Sequence, residues 1–147
     1  MSEHTVRAFD RELELLGRKI AEMGGIGEKM LADAIDALIR LDTDLAQATI
    51  AMDKRLDMLQ REVEEAAVLV IARRQPVGVD LREIVAAMRI SGDLERVGDL
   101  AKNIAKRAVK LSQEQRLPRA MIGLRHMGEL AALQLKDVLD AYSQRDV

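Results

Sequence analysis

The sequence predicts an all-α fold, an antiparallel three-helix bundle followed by one additional helix. Apolar residues recur at spacings of three and four along four long segments, which is the period of an amphipathic α-helix. The 147 residues suit one ordinary domain, and with no Trp, one Phe and one Tyr its core must be aliphatic side chains and Met. No segment shows the strict alternation of apolar and polar residues that is typical of a half-buried strand.

The first predicted helix carries one apolar stripe that extends from Val6 to Leu41. Three glycines, Gly24, Gly25 and Gly27, fall inside this stripe, and each lowers helix propensity by about 1 kcal/mol relative to Ala. We therefore expect a kink or a close contact with another helix at these glycines. A break into two helices is the alternative.

The second predicted helix begins after Asp42 or Thr43, either of which can cap a helix N-terminus, and its stripe extends to Val70. Pro76 and Gly78 then end the pattern. Because the interruption is short, we expect a tight turn and an antiparallel third helix.

The third predicted helix begins near Asp80 and Glu83, whose spacing of three resembles a capping box, and its stripe ends at Leu111. Pro118 lies near the expected first turn of a fourth helix. The stripe of that helix is formed by Leu124, Ala131, Leu135, Val138 and Tyr142.

An internal repeat appears when the sequence is compared with itself at an offset of 104 residues. The offset aligns identical residues at Met23 and Met127, Gly24 and Gly128, Leu31 and Leu135, Asp33 and Asp137, Asp36 and Asp140, Ala37 and Ala141, and Asp42 and Asp146. We therefore expect residues 1–113 to form one complete three-helix unit and residues 114–147 to supply the first helix of a second, incomplete unit. Similarity of composition between helices is the alternative.

Two pairs of carboxylates are candidate metal ligands. Asp53 and Asp57 lie four residues apart in "MDKRLDML", and Glu95 and Asp99 repeat this spacing in "DLERVGDLAKNIAKR". Residues four apart share one face of a helix. If the two helices are antiparallel about a turn near Val77, both pairs lie at about the same height and form one acidic cluster.

Each pair lies beside its apolar stripe, so we expect the cluster to face solvent. Carboxylate oxygens suit a hard cation or iron, and Asn103, one turn beyond Asp99, is an accessory candidate. The alternative is a solvated helix exterior, since acidic residues occupy such positions in most proteins. Its neutralising partners would be Lys54, Arg55, Arg96 and Lys102.

Other function classes receive little support. A net charge of −2 gives no basic surface for nucleic acid, and the absence of Cys removes thiolate catalysis and cysteine-ligated metals. His4 and His126 stand outside the Glu-x-x-His pairs of a core di-iron site, and Ser91 has no neighbouring base. The chain has no apolar run of 18 residues and no signal-peptide pattern, so we expect a soluble protein. Because these catalytic groups are missing, we also expect that it is not an enzyme.

The sequence resembles the PhoU family of phosphate-signalling regulators. The resemblance rests on "DLERVGDLAKNIAKR", preceded by "RRQPVGVDLREIVAAMRIS", and on "DKRLD" and "LERVGD", which are similar to the acidic motifs of helices 2 and 3 of that family. The repeat agrees with the family architecture of two similar three-helix bundles. The likeness covers the whole chain, and the departure from the family is the missing remainder of the second bundle.

The resemblance implies a cytoplasmic, non-enzymatic regulator that represses the phosphate-starvation response when phosphate is plentiful. It implies contacts with the phosphate-specific ABC transporter ATPase and with the phosphate sensor histidine kinase, and membrane association only through these partners. Some members bind iron or zinc at the acidic motifs, which here correspond to Asp53, Asp57, Glu95 and Asp99. We expect a homodimer, because the apolar stripe of the fourth helix needs a cover. Packing of this helix against the first bundle, as the fourth helix of a monomer, is the alternative.

Two other classes stay open. One is a metal-free helical adaptor that dimerises, and the other is a carboxylate-bridged metalloenzyme.

Overall fold

A computed structural model of the chain describes residues 3–114 and 121–145. Within these ranges the chain forms four α-helices and no strand: α1 (Glu3–Arg40), α2 (Thr43–Arg74), α3 (Val79–Glu114) and α4 (Met121–Gln144). The predicted all-α class is confirmed. Pro118, predicted near the first turn of α4, lies outside the described residues, and so does the side chain of His4.

The turn between α1 and α2 is tight and is fixed by a side-chain cap. Leu41 adopts a left-handed backbone conformation with φ of 53°, and the amide of Asp42 donates to the carbonyl of Ala37 at 3.0 Å. The Asp42 carboxylate accepts a hydrogen bond from the amide of Leu45 at 3.0 Å, which makes Asp42 the N-cap of α2. Of the two capping residues predicted from the sequence, the structure uses Asp42.

The turn between α2 and α3 uses two residues with positive φ. Gln75 caps α2 in the left-handed region, where its amide donates to the carbonyl of Ile71, and Gly78 has φ of 61°. The carbonyl of Gly78 accepts from the amide of Arg82 at 3.2 Å, so α3 begins at Val79. The predicted capping box was therefore misplaced, because Asp80 lies inside the first turn of α3.

The core lies between α1, α2 and α3, each of which packs against the other two. Its largest fully buried apolar side chains are Ile20, Met23, Met30, Leu56, Leu59, Val63 and Ile84. The buried face of α3 consists mostly of small residues, and Val97 and Ile104 of the predicted stripe are only half-buried. Small residues on this face allow α3 to approach both neighbours closely.

Helix α4 packs against α1 through two reciprocal glycine contacts. A Cβ atom on Gly24 would lie 2.8 Å from Cδ2 of Leu139, and one on Gly128 would collide with Cδ1 of Ile35. Gly24 and Gly128 are related by the 104-residue offset, and so are Ile35 and Leu139. The expected close contact at the α1 glycines is thus present at Gly24, and α1 continues unbroken through all three glycines.

Several large apolar side chains of α4 are exposed, with polar residues between them. Its exposed large side chains include Ile122, Met127, Leu130, Leu133 and Val138. The predicted stripe of this helix was partly wrong, because Leu135 and Tyr142 pack on the core whereas Leu124, Ala131 and Val138 are exposed. An ion pair of 2.8 Å between Arg145 and Glu83 joins the end of α4 to α3.

Within the described ranges, none of the helices combines the length and the apolar character that crossing a membrane would require.

Candidate metal centre

The site lies at a close contact between α2 and α3. A Cβ atom on Gly98 would collide with Cδ2 of Leu56, a side chain that is itself fully buried. Only a residue without a side chain leaves room for this contact. Asp57 and Asp99 directly follow the two contacting residues, so the close approach brings carboxylates of both helices together.

Three carboxylates form the centre of the site. Asp53, Asp57 and Asp99 each offer one oxygen atom, and these three oxygens lie within 4.8 Å of one another. Two oxygens that bind the same cation at about 2.0 to 2.6 Å are separated by at most about 5 Å. The three carboxylates are therefore spaced as a single hard cation requires.

Asp53 departs from the sequence-based expectation because it is buried. Only 4% of its surface is exposed, whereas the whole cluster was expected to face solvent. Its Oδ2 atom accepts a hydrogen bond from Lys102 at 2.5 Å, and its buried Oδ1 atom has no hydrogen-bond partner. A buried polar atom without a partner is unfavourable, so Oδ1 could accept a bond from a cation or a hydrogen-bond donor.

Glu95 lies one helical turn before Asp99, and the two share a hydrogen bond only when one of the carboxyl groups carries a proton. Burial raises the pKa of Glu95 to about 7, with further contributions from this hydrogen bond and from the negative charges of Asp99, Asp57 and Asp53. Among the described residues, Glu95 is not one of the three that share the 4.8 Å spacing. The structure thus places it beside the three aspartates rather than among them.

Mutual repulsion also acts on the aspartates. Burial raises the pKa of Asp57, and the nearby charges of Asp53 and Asp99 raise it further, against the opposing effect of Lys102 and Arg61. Two full negative charges 4.8 Å apart repel each other by about 3 kcal/mol at an effective dielectric constant of about 20. A bound cation would relieve this repulsion.

Lys102 is the one basic residue that forms an ion pair with the cluster in the part of the chain that the structure describes. Its ammonium lies 2.5 Å from Asp53 Oδ2 and 3.8 Å from Asp99 Oδ1. Of the other basic residues considered from the sequence, Arg55 pairs with Glu22 of α1 at 2.5 Å, and Lys54 and Arg96 are exposed. One lysine therefore balances only part of the negative charge.

Asn103 and His126 are the remaining candidate residues that the structure describes, and both are exposed. Asn103, the accessory candidate, is exposed and lines a shallow depression together with Lys106, Arg107 and Lys110. His126 is exposed on α4. The accessory role of Asn103, one turn beyond Asp99, stays a prediction.

A family model described as "PhoU domain" matches residues 20–108, which include both acidic motifs and the whole α2–α3 turn. The chain belongs to the PhoU family.

Relatives with this family name align over nearly the whole chain. A phosphate-specific transport system accessory protein PhoU homolog of Rhizobium meliloti (strain 1021) is 50% identical over 143 residues, which are 97% of this chain and 60% of that protein. A PhoU homolog from Caulobacter vibrioides (strain NA1000 / CB15N) is 49% identical over 147 residues, which are 100% of this chain and 64% of that protein. The chain thus spans somewhat less than two thirds of these PhoU proteins.

A solved PhoU structure has the same arrangement of helices. The crystal structure of PhoU from Pseudomonas aeruginosa superposes with a TM-score of 0.92 at 38% sequence identity, covering 94% of this chain and 66% of that chain. The predicted bundle with one additional helix is therefore confirmed as a PhoU fold.

Two residues of this PhoU site were missed or undervalued from the sequence. Gly98 was overlooked, although a glycine directly before Asp99 in a continuous helix indicates a close helix contact. The sequence places Lys102 among four basic residues near the two motifs. Its i, i+3 spacing from Asp99 indicated that it shares a face with the cluster, but its bond to Asp53 depends on the packing of α2 against α3.

Proposed function

We propose that this chain is part of a regulator of phosphate transport and phosphate-starvation signalling that acts by binding other proteins and not by turnover. The observation that carries the proposal is the alignment of nearly the whole chain with proteins named phosphate-specific transport system accessory protein PhoU. Long helices with wide exposed faces suit protein contacts.

In this proposal the parent protein represses the starvation response when phosphate is abundant. Its partners are the ATPase of the phosphate-specific ABC transporter and the phosphate sensor histidine kinase. It resides in the cytoplasm and reaches the membrane only through these partners. The word "accessory" in the names of the relatives supports a role beside a transporter.

Deletion of the parent gene tests this role. We expect expression of phosphate-starvation genes to rise in phosphate-rich medium and to fall again when the full-length gene is restored. Residues 1–147 alone should restore repression poorly, because loss of one of two linked contact regions weakens binding by orders of magnitude. If the deletion did not raise expression of the phosphate-starvation genes, the regulatory role would be contradicted.

We propose further that the carboxylate cluster is a cation site of this regulator. Asp53, Asp57 and Asp99 are the proposed ligands, and Glu95 is the fourth. The buried, unpartnered Oδ1 atom of Asp53 supports this assignment. Iron and zinc are the candidate ions, and a donor set made only of oxygen lacks the thiolate and imidazole ligands that hold most structural zinc ions.

Metal analysis of matched variants tests the cation site. Asp99→Asn should lower the iron or zinc content of the purified protein at least tenfold, because it removes a charged ligand. Asp93→Asn is the control, since Asp93 is an exposed aspartate on the same helix. Equal metal content in the two variants would show that Asp99 is not a ligand of the site.

We propose that residues 1–113 form a complete unit and that residues 114–147 begin a second unit of the same kind. The reciprocal contacts of Gly24 with Leu139 and of Gly128 with Ile35 support this division. When two copies of one helix pack about a pseudo-twofold axis, each contact occurs twice, once from each helix to the other.

A second candidate function is a metal-free helical adaptor that dimerises. The exposed apolar face of α4 favours it, since such patches mark interaction sites. A protein that dimerises without cations, and whose partner binding is unchanged by Asp99→Asn, would support the adaptor.

A further inference from the structure

The Lys102 ammonium lies where a bound cation would neutralise the carboxylates of the cluster. It lies on α3, three residues after Asp99, and its ammonium crosses to α2 to reach Asp53 Oδ2 at 2.5 Å. The hydrogen bond to Asp53 raises the pKa of Lys102, and the charges of Asp53, Asp99 and Asp57 add to this effect. The lysine is therefore a charged partner of the same carboxylates that form the proposed metal centre.

Other basic side chains do not share this role. Arg55 pairs with Glu22, and Lys19 pairs with Glu62 at 2.6 Å, so both serve the contact between α1 and α2. Within the described ranges, no other lysine or arginine forms an ion pair with the cluster. Lys102 is therefore the basic residue that a metal ion would have to compete with at the cluster.

We propose that Lys102 is an internal competitor of the metal ion, so that cation binding displaces its ammonium from Asp53 and the lysine sets the affinity of the centre. This inference rests on the proposed cation site.

The geometry allows such an exchange. An ammonium 2.5 Å from Asp53 Oδ2 and 3.8 Å from Asp99 Oδ1 repels a divalent ion bound to the same two residues. The Lys102 side chain is 27% exposed, and its flexible stem can move the charge into solvent without leaving a buried ion behind. When no ion is bound, the same ammonium keeps α2 and α3 paired across the acidic cluster.

The exchange has a functional consequence. Displacement of Lys102 removes an ion pair between α2 and α3 and releases a positive charge toward the surface of α3. That surface already carries Lys106, Arg107 and Lys110 around one depression. Cation binding would therefore make this part of α3 more basic, which is a change that a protein partner can detect.

Calorimetric titration of the full chain with Mn²⁺ tests the proposal. Manganese is the probe because it prefers oxygen ligands. Lys102→Met keeps the length and volume of the stem and removes the charge, so it should bind Mn²⁺ at least tenfold more tightly than the wild type. Lys106→Met, which removes an exposed lysine one turn further along α3, is the control and should bind within twofold of the wild type.

A second readout uses the wild-type protein and needs no variant. Lysine acetylation by an amine-reactive reagent, located by mass spectrometry, should increase severalfold at Lys102 when Mn²⁺ is present, because the ammonium leaves Asp53. Labelling at Lys106 should not change. This result would support the exchange even if Lys102→Met failed to fold.

The outcomes separate the two proposals. If the wild type binds Mn²⁺ but Lys102→Met binds equally or more weakly, or Lys102 labelling does not change, the competition is overturned and the cation site stands. If neither protein binds Mn²⁺, the cation site fails and the competition fails with it. Binding by Lys102→Met alone would support strong competition.

Discussion

At the scale of single residues, the site depends on one buried carboxylate and one missing side chain. Asp53 is 4% exposed and is satisfied at Oδ2 only, whereas Gly98 lets α3 come close enough for Asp99 to reach the same space. A carboxylate at a core position is unfavourable unless something binds it. Lys102 supplies part of that binding, and we propose that a cation supplies the rest.

The pKa of Glu95 predicts a pH-dependent stability. Its pKa is about 7 in the folded protein against an ordinary value of 4.5, so the folded state holds the proton more tightly than the unfolded state. Stability should therefore fall as pH rises from about 4.5 to about 7. In the presence of a chelator, Glu95→Gln should flatten this dependence and raise the Tm at pH 8, because Gln resembles the protonated acid.

Thermal unfolding across this pH range provides the measurement. Glu65→Gln is the control, since Glu65 is an exposed glutamate on α2. A wild type and a Glu95→Gln variant with identical pH profiles would show that Glu95 titrates normally.

Gly98 should be far less tolerant of substitution than its neighbour Gly92. Gly98→Ala should lower the free energy of unfolding by about 1 to 3 kcal/mol, since the new Cβ collides with the buried Leu56. Gly92→Ala meets no atom within 4 Å and should raise the free energy by up to about 1 kcal/mol through better helix propensity. Urea denaturation of both variants measures the contrast, and equal effects would contradict the close approach.

Sequence reasoning identified the carboxylates but not their burial. The four-residue spacing placed Asp53 and Asp57 on one face, yet the depth of that face depends on how closely α3 approaches. Gly98 and the small residues around it set that distance, and their effect depends on tertiary packing. The predicted stripe passed through Met52, so Asp53 was wrongly expected to face solvent.

At the scale of elements, α4 is the helix with the weakest attachment. It packs against α1 alone, apart from the ion pair of Arg145 with Glu83, whereas α1, α2 and α3 each contact two other helices of the core. The two glycine contacts with Leu139 and Ile35 hold it in register. Elements with few buried contacts open at lower free energy than the core.

Gly128→Leu should release α4 and leave the three-helix core intact. The added side chain would occupy the space of Ile35, which packs directly on Gly128. Hydrogen exchange should show lost protection in α4 and unchanged protection in α2 and α3. Gly123→Leu, at an exposed glycine of the same helix with open space around it, is the control. Loss of protection throughout the bundle would show that α4 is part of the core's cooperative unit.

The elements also show why the N-cap of α2 was predicted correctly and the buried face of α4 was not. The caps and turns of α2 carry strong local signals, such as Asp42, and the structure uses them. Helix α4 has apolar residues on two faces, and periodicity cannot say which face meets α1. Gly128 decides it, because only the face with the glycine fits against Ile35.

At the scale of the whole molecule, the exposed face of α4 predicts self-association. Ile122 is 87% exposed, and several other large apolar side chains lie on the same helix. Burying each of them contributes roughly 1.5 to 3 kcal/mol. We expect light scattering to give the mass of a dimer, and we expect Met127→Glu with Val138→Glu to shift the protein to monomer.

Gln134→Glu is the matched control, because it adds a charge at an exposed polar position of α4. A wild-type monomer over a wide concentration range would rule out the dimer and leave α4 as a fourth helix of a single bundle.

The whole-molecule fold was accessible from the sequence because its signals agree. Helical periodicity, a 104-residue repeat and the motifs around Asp53 and Asp99 all indicate the same arrangement. The charge balance within the site was not accessible, since four basic residues lie near the motifs and only the packing of α2 against α3 brings Lys102 to Asp53. Packing of α1 against α2 commits Arg55 to Glu22 and leaves Lys102 for Asp53.

The central claim, that the carboxylates of α2 and α3 form a cation site, is tested most directly by anomalous diffraction from crystals equilibrated with Mn²⁺. We predict an anomalous peak about 2.0 to 2.6 Å from oxygens of Asp53, Asp57 and Asp99, with the Lys102 ammonium displaced from Asp53. The claim would be contradicted if crystals at saturating Mn²⁺ showed no anomalous peak at this position and the ion pair between Lys102 and Asp53 remained intact.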